Sequence, residues 1–403
     1  MTVPRLPTLL QTSPYLTLIA PGQKAPIVYA TTDTRGIEYP IISDPGDAQF
    51  GVIDLDRRVI WHSSSVALRA LQEAAPGPLK TKDLIRRFGF DTICDLAARE
   101  WIQDPKNLCR EYRLYTGQIE ITSHCNWRCK FCPVSLDPKP HEVMPMDLFT
   151  EIVEKLAEVK TLRFVTFHFF NEPTLDPNFA ARIHILARFG LKLSLSTNCS
   201  GLTRSKIELL SESGVLHHLV VNMPSVDEHE FSRMTGSRSY RVAKRNLQSA
   251  IEVLTPITIT VNGKGDSLAR NVAELTSTYG AQGVEVRPTL TCDRAGAVSG
   301  EFDQSVQVTG RLRGCTWPVS HAYFTVRGDL LICCNDYYQT VTYGNVRQGS
   351  IDELMTSPQA VRLRRRVFGI DDAPAQYVCR SCHDQMLDFP HRQFRPPATF
   401  RLG

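Results

Sequence analysis

Residues Gln118 to Pro133 read Gln-Ile-Glu-Ile-Thr-Ser-His-Cys-Asn-Trp-Arg-Cys-Lys-Phe-Cys-Pro. The stretch begins as a strand, Gln118–Thr122, and runs directly into Cys125, Cys129 and Cys132, spaced C-x3-C-x2-C. Three thiols within eight residues cannot all pair in disulfides without an outside partner. One loop can wrap them around three corners of an iron–sulfur cube, because soft thiolates favour such clusters. Three ligands leave one iron without a protein donor, and that vacancy is the chemically useful feature. A zinc loop is the competing reading, but structural zinc wants four ligands in a paired arrangement and only His124 stands nearby as a forced fourth.

Outward from this loop, residues 113–300 alternate strand and helix. Strands are expected at Gln118–Thr122, Arg163–His168, Lys192–Ser196, His218–Met223, Pro256–Val261 and Val284–Arg287. Helices are expected between them at Met146–Val159, Asn178–Phe189, Lys206–Ser213, Ser239–Val253 and Leu268–Tyr279. Repeated βα units imply a parallel sheet with right-handed crossovers. Six of them predict an α/β fold, a partial (β/α)6 TIM-like barrel, because a closed barrel takes eight.

Loop and barrel together resemble the radical S-adenosylmethionine (SAM) superfamily, whose members carry a C-x3-C-x-(aromatic)-C loop after the first strand of such a barrel. Phe131 stands at the aromatic position. The resemblance implies a [4Fe–4S] cluster whose open iron is chelated by SAM, cleavage of SAM to a 5′-deoxyadenosyl radical, and abstraction of a hydrogen atom from a substrate. It also implies an electron donor such as a flavodoxin or ferredoxin. His168-Phe169-Phe170-Asn171-Glu172-Pro173 closes the second strand and resembles the family's Gly-Gly-Glu-Pro segment, which binds the SAM amino group. Asn171 replaces a glycine there, while Glu172 keeps an acceptor for an ammonium. Ser196 and Asn198 end the third strand where the family binds ribose and carboxylate, and Asn222 ends the fourth. All lie at strand C-terminal ends, where such barrels place their sites.

Beyond residue 300 the alternation fades and cysteines return: Cys315, Gly328-Asp329-Leu330-Leu331-Ile332-Cys333-Cys334, then Cys379-Arg380-Ser381-Cys382. With Asp336 and Tyr343-Gly344-Asn345-Val346 between, the pattern resembles the SPASM/twitch extensions of the same superfamily, which bind auxiliary [4Fe–4S] clusters. SPASM proper has seven cysteines and two clusters, so this shorter set implies one auxiliary cluster on Cys315, Cys333, Cys379 and Cys382. If its segment is a strand, Cys334 faces away from Cys333. A four-cysteine zinc ribbon would accept the same donors. Cys292, after the sixth strand, is a candidate hydrogen-atom donor at the barrel mouth, with Cys334 as its competitor. Cys94 and Cys109 read as core residues.

Residues 1–112 form a third unit. Phe50–Asp54 and Arg57–Trp61 read as a hairpin, Ser63, Ser64 or Ser65 offers an N-cap, Pro76-Gly77-Pro78 ends the first helix, Thr81 caps a second, and Asp91–Trp101 is a third. The proportions are winged-helix-like. The element order resembles the precursor-recognition module of enzymes that modify ribosomally made peptides, which adds a leader peptide to a hairpin edge. Three units follow: 1–112, a barrel at 113–300, and an auxiliary-cluster segment at 301–403.

Composition bounds the rest. A chain of 403 residues, 42% hydrophobic and 22% charged, is globular and exceeds one folding unit, which excludes bulk disorder. No apolar run approaches the ~20 residues of a membrane span, and Met1–Gln11 lacks the apolar core of a secretory signal. A net charge of +4 on 46 basic and 42 acidic residues is too balanced for a nucleic-acid binder. The run Arg362, Arg364, Arg365, Arg366 reads as a solvated helix face. Twelve cysteines without an export signal point to metal or redox chemistry in the cytoplasm. The substrate expected first is a ribosomal precursor peptide, crosslinked, oxidised or epimerised. The alternative is a small molecule such as an aminosugar in antibiotic assembly. A zinc-binding interaction protein is the reading from another class.

Overall fold

A computed structural model describes residues 6–19, 48–53, 55, 59–290, 293–298 and 307–382. The N-terminal body contains, in chain order, β1 (Leu9–Thr12), β2 (Thr17–Ile19), β3 (Phe50–Ile53), β4 (Val59–His62), α1 (Ser65–Ala74), β5 (Leu79–Lys80), α2 (Thr81–Phe88), α3 (Phe90–Ala98) and β6 (Ile102–Gln103). Two small sheets, ordered β5-β1-β6 and β2-β3-β4, share a core of Leu10, Phe50, Val52, Leu71, Leu84, Ile93 and Trp101. The expected hairpin is β3–β4, paired antiparallel with Phe50 opposite His62. Ser64 is the cap of α1, its hydroxyl accepting from the Ala67 amide at 3.2 Å. Thr81 is not a cap: it is the first residue of α2, and its hydroxyl donates to the Pro7 carbonyl.

The barrel follows in the expected order: β7 (Thr116–Ile119), α4 (Met146–Ala157), β8 (Phe164–Thr166), α5 (Phe179–Arg188), β9 (Leu193–Thr197), α6 (Arg204–Glu212), β10 (Leu216–Asn222), α7 (Glu228–Thr235), α8 (Tyr240–Ile251), β11 (Ile257–Gly263), α9 (Gly265–Tyr279) and β12 (Glu285–Leu290). Neighbouring strands pair in parallel throughout. The helices bury apolar stripes against the outer face of this sheet. On α4 the stripe is Leu148, Phe149, Ile152, Val153 and Leu156. Gly117 on β7 admits the last of these: a Cβ there would sit 2.6 Å from a Leu156 methyl. The helix α7 is the element the sequence did not announce.

The C-terminal segment adds α10 (Trp317–Ser320), β13 (His321–Phe324), β14 (Asp329–Leu331), β15 (Thr342–Asn345), α11 (Ile351–Thr356) and α12 (Pro358–Val367). Its strands do not form a separate sheet. β13 pairs in parallel with β7, and β14 and β15 continue antiparallel, giving one nine-stranded order β12-β11-β10-β9-β8-β7-β13-β14-β15. The turn that carries Cys333 and Cys334 thereby follows a strand of the same sheet that bears the first cysteine loop.

The arginine run on α12 is only partly solvated. Arg364 is fully buried, donating to the carbonyls of Cys109 at 2.9 Å, Arg110 at 3.0 Å and Met355 at 2.7 Å. Arg365 pairs with Asp371 and reaches the Pro105 carbonyl at 2.6 Å. These bonds tie α12 to the link between N-terminal body and barrel, where Cys109 holds a left-handed φ of 68°. Cys109 is buried as expected, whereas Cys94 is half-buried. Arg364→Met leaves two buried carbonyls and one part-buried carbonyl without their donor and costs about 3 kcal/mol. The expected result is a fall of several degrees in the thermal unfolding midpoint, and an unchanged midpoint contradicts this account of α12.

Candidate iron–sulfur and SAM site

The C-x3-C-x2-C loop emerges from the C-terminal end of β7 and is fastened at its centre. The Arg128 amide donates to Thr235 O at 2.8 Å and the Lys130 amide to Met234 O at 3.1 Å, both carbonyls belonging to the last turn of α7. Trp127 is buried, its Nε1 donating to Ser239 Oγ at 2.9 Å and its ring meeting Phe231 edge-on at 5.0 Å. Gly236 makes the close approach possible: at φ 63° it ends α7, and a Cβ there would lie 3.0 Å from Arg128 O. Phe131 is buried in the main core.

Cys125, Cys129 and Cys132 lie within electrostatic reach of one another. Burial, and secondly Glu172, pushes the Cys125 thiol up to about 12. Burial pushes Cys129 well above the ordinary thiol value, with Cys132 and then Cys125 adding to it, and burial also raises Cys132. Three clustered thiols that resist ionisation in the bare protein fit a polycationic iron centre, which holds cysteine as thiolate. Cys125 Sγ also accepts the Trp127 amide at 3.5 Å. Among the described residues no three His, Cys, Asp or Glu side chains converge on a single-ion site. The His124 ring lies 4.4 Å from that of His141, the two planes tilted by 32°.

Glu172 is the hub of the neighbouring segment. Its Oε1 accepts from the Thr174 amide at 3.0 Å, from the Thr174 hydroxyl, and from Thr197 Oγ1 at 2.6 Å, while Oε2 accepts the Asn198 amide at 2.7 Å. Its own amide donates to His124 O at 2.8 Å. The carboxylate therefore ties the turn after β8 to the end of β9, and the backbone amide of the same residue ties both to the start of the cysteine loop. Asn198 extends the link, its Nδ2 donating to Asn126 Oδ1 at 3.0 Å. Asn171 closes its own turn, with Oδ1 accepting from the Phe169 amide at 2.6 Å and Nδ2 donating to Phe167 O at 3.0 Å. Its side chain is thus occupied, and any contact to a ligand from this position falls to the backbone.

The inner face of the barrel is polar. Leu193, Leu195, Leu219, Val221, Ile257, Ile259 and Val261 face the helices as part of the main core, so the alternate residues point inward. His218 Nε2 meets Thr258 Oγ1 at 2.9 Å, and that hydroxyl donates to Glu285 Oε2 at 3.2 Å. Glu285 also pairs with Arg287, and Asn262 Nδ2 donates to Asn222 Oδ1 at 2.9 Å. Ser196 is half-buried on the same face, and the buried hydroxyls of Thr116 and Ser194 have no hydrogen-bond partner among the described residues. Strands of a parallel sheet buried on both faces ordinarily read as continuous apolar runs, so this alternation describes a space built for polar guests. His168, pulled down to about 4 by burial and then by Arg294, is neutral at pH 7 and bonds Thr166 Oγ1 at 2.8 Å. Asn262 and Arg287 are additions that sequence reading did not single out. Cys292 lies outside the described residues.

The second cysteine group gathers around β13–β15. Tyr323 faces Cys334, Cys333 and Cys315, Tyr343 faces Cys379 and Cys333, and Asn335 spans Cys333 and Cys382. Cys315, Cys333, Cys379 and Cys382 thus share one region. The strand argument for Cys334 does not hold, because β14 ends at Leu331 and the Cys333–Cys334 pair sits in the turn beyond it. Both face Tyr323. Asp336 is no spare donor: it is buried and accepts from the Thr340 amide and hydroxyl, each at 3.0 Å, and from the Val341 amide at 2.7 Å. The same turn reaches the first loop through Tyr337, which packs edge-on against Phe170 at 4.8 Å and donates to Asp137 O. Lys139 lies over the rings of Tyr337, Phe169 and Phe170 and 3.7 Å from buried Glu120.

Residues 119–274 match the radical SAM superfamily model, and residues 315–383 match SPASM, an iron–sulfur cluster-binding domain. The chain belongs to the radical SAM superfamily. It is an enzyme of that superfamily, and its cofactors are SAM, a [4Fe–4S] cluster and auxiliary iron–sulfur binding in the SPASM segment. It is 22% identical over 275 residues, 66% of this chain and 92% of the relative, to an S-adenosyl-L-methionine-dependent 2-deoxy-scyllo-inosamine dehydrogenase from Niallia circulans. It is 30% identical over 124 residues, 30% of this chain and 31% of the relative, to a PqqA peptide cyclase from Bradyrhizobium diazoefficiens. The crystal structure of Streptococcus suis SuiB bound to precursor peptide SuiA shares the fold with a TM-score of 0.53 and 11% identity, over 88% of this chain and 90% of that one. No helix among the described residues is long and apolar enough to cross a membrane.

Replacing Glu172 by Ala strips the acceptor from two buried amides and two hydroxyls at the barrel mouth. The expected loss is about 2–4 kcal/mol, read as a lower unfolding midpoint of the metal-free protein. An unaltered midpoint contradicts the hub role.

Proposed function

We propose that Cys125, Cys129 and Cys132 hold the [4Fe–4S] cluster at three irons, and that Phe131, Glu172, Asn171, Ser196, Asn198 and Asn222 surround SAM. When bound, the cluster supplies the electron that cleaves SAM to a 5′-deoxyadenosyl radical, which takes a hydrogen atom from substrate. The protein's part is placement. Among the described residues Oε2 of Glu172 accepts one donor, which leaves a lone pair for the SAM ammonium. The apolar group of Val134, Phe170, Ala297 and Tyr337 beside Cys125 and Cys132 keeps water from the loop. Cys315, Cys333, Cys379 and Cys382 hold an auxiliary cluster, and an electron donor such as a flavodoxin or ferredoxin feeds the first.

The substrate is a ribosomally produced peptide, modified at a C–H bond by a crosslink, oxidation or epimerisation, with residues 1–112 as its recognition module. The observation carrying this reading is the β2-β3-β4 sheet, in which β4 is an edge strand among the described residues and offers backbone groups that suit an added peptide strand. Resemblance to SuiB, which reaches 88% of this chain, is in keeping with it. The second reading is oxidation or epimerisation of an aminosugar-like small molecule. The hydrogen-bonding inner face of the barrel favours it, together with the dehydrogenase relative, 92% of which is matched.

Two measurements test these readings. Anaerobically reconstituted protein with SAM and dithionite is expected to release 5′-deoxyadenosine, and the Cys125→Ala, Cys129→Ala, Cys132→Ala triple variant to release none. Equal release from both removes the loop from the chemistry. Deleting residues 1–103 retains the Pro105, Cys109 and Arg110 carbonyls that α12 holds. The shortened enzyme is expected to cleave SAM while losing affinity for a ribosomal precursor peptide that the full chain binds. Undiminished peptide affinity removes the recognition role of residues 1–103, and a full chain that binds no peptide turns the choice to the small molecule.

A further inference from the structure

One residue presents two donors to the auxiliary thiols. The Asn335 amide donates to Cys333 Sγ at 3.3 Å, and its side-chain Nδ2 faces Cys382 Sγ at 4.0 Å. Cys333 and Cys382 come from distant parts of the tail, so this residue spans the halves of the ligand set. Its buried Oδ1 has no hydrogen-bond partner among the described residues. The backbone half of the arrangement repeats the first loop, where the Trp127 amide donates to Cys125 Sγ two residues before it at 3.5 Å. The side-chain half does not repeat: the only side-chain donor of Trp127 is spent on Ser239.

Hydrogen bonds to ligating sulfurs favour the more electron-rich state of an iron–sulfur cluster and raise its reduction potential. The repeated amide geometry also separates the neighbouring cysteines, since the bond goes to Cys333 and not to Cys334. Resting on the auxiliary-site reading above, we propose that Asn335 is a tuning residue whose side-chain amide, donating to Cys382, raises the reduction potential of the auxiliary cluster held by Cys333 and Cys382. An auxiliary centre made easier to reduce is suited to accept an electron, which is the demand of an oxidative outcome.

The test uses the full chain carrying Cys125→Ala, Cys129→Ala and Cys132→Ala, so that only the auxiliary site binds iron. After anaerobic reconstitution, iron and sulfide are counted and the midpoint potential is read by redox titration followed by electron paramagnetic resonance. Adding Asn335→Ala, or the isosteric Asn335→Asp, is expected to leave the iron content unchanged and move the midpoint to more negative potential. Asp should shift it further, because an anionic oxygen replaces the donor. Identical midpoints in all three proteins overturn the proposal. Loss of iron from both Asn335 variants also overturns it, reducing the residue to a structural element. A parent without iron removes the auxiliary-site reading itself, and the proposal with it.

Discussion

The structure depends on how one loop is held. The three thiols that follow β7 are useful only if they stay together at the barrel mouth, and a loop of cysteines has no intrinsic reason to do so. Two backbone bonds to the last turn of α7, the buried Trp127 and the tight contact at Gly236 supply that reason. Glu172 supplies it from the other side, its buried carboxylate joining Thr197 and Asn198 and its backbone amide holding the His124 carbonyl. Burial makes each thiol harder to ionise, so the fastening is only half of the site. The positive charge that completes it comes with the iron.

A parallel sheet with a polar inside gives this loop something to act on. Helices cover the outer face with leucine, isoleucine and valine, leaving the inner face to histidine, asparagine, threonine, glutamate and arginine. Sheet continuity then brings the tail's cysteines to the same structure through the β7–β13 pairing. Tyr337 and Lys139 pack between the two cysteine groups, so the first loop and the auxiliary region share apolar walls.

Most of this frame was legible because it is periodic. The six barrel strands and five of the helices between them follow from apolar spacing, and the cysteine spacing places the loop. Helix α7 was not legible: Glu-His-Glu-Phe-Ser-Arg-Met-Thr buries little beyond Phe231 and Thr235, too few for a stripe, although it is the element that straps the loop. Arg364 was misjudged for a related reason. Four nearby arginines read as a wet surface, and only tertiary structure reveals the unsatisfied carbonyls at Cys109 and Arg110 that draw one of them inside. Cys333 and Cys334 could not be told apart by strand alternation, because the strand stops before both.

The claim at the centre is that these three cysteines carry a cluster with one iron open to SAM. The direct measurement is the electron paramagnetic resonance spectrum of the reduced, reconstituted protein recorded with and without SAM. A paramagnetic signal that changes on adding SAM, and that disappears when Cys125, Cys129 and Cys132 are replaced, is the predicted result. A spectrum indifferent to SAM, or one that survives loss of the three thiols unchanged, contradicts the account.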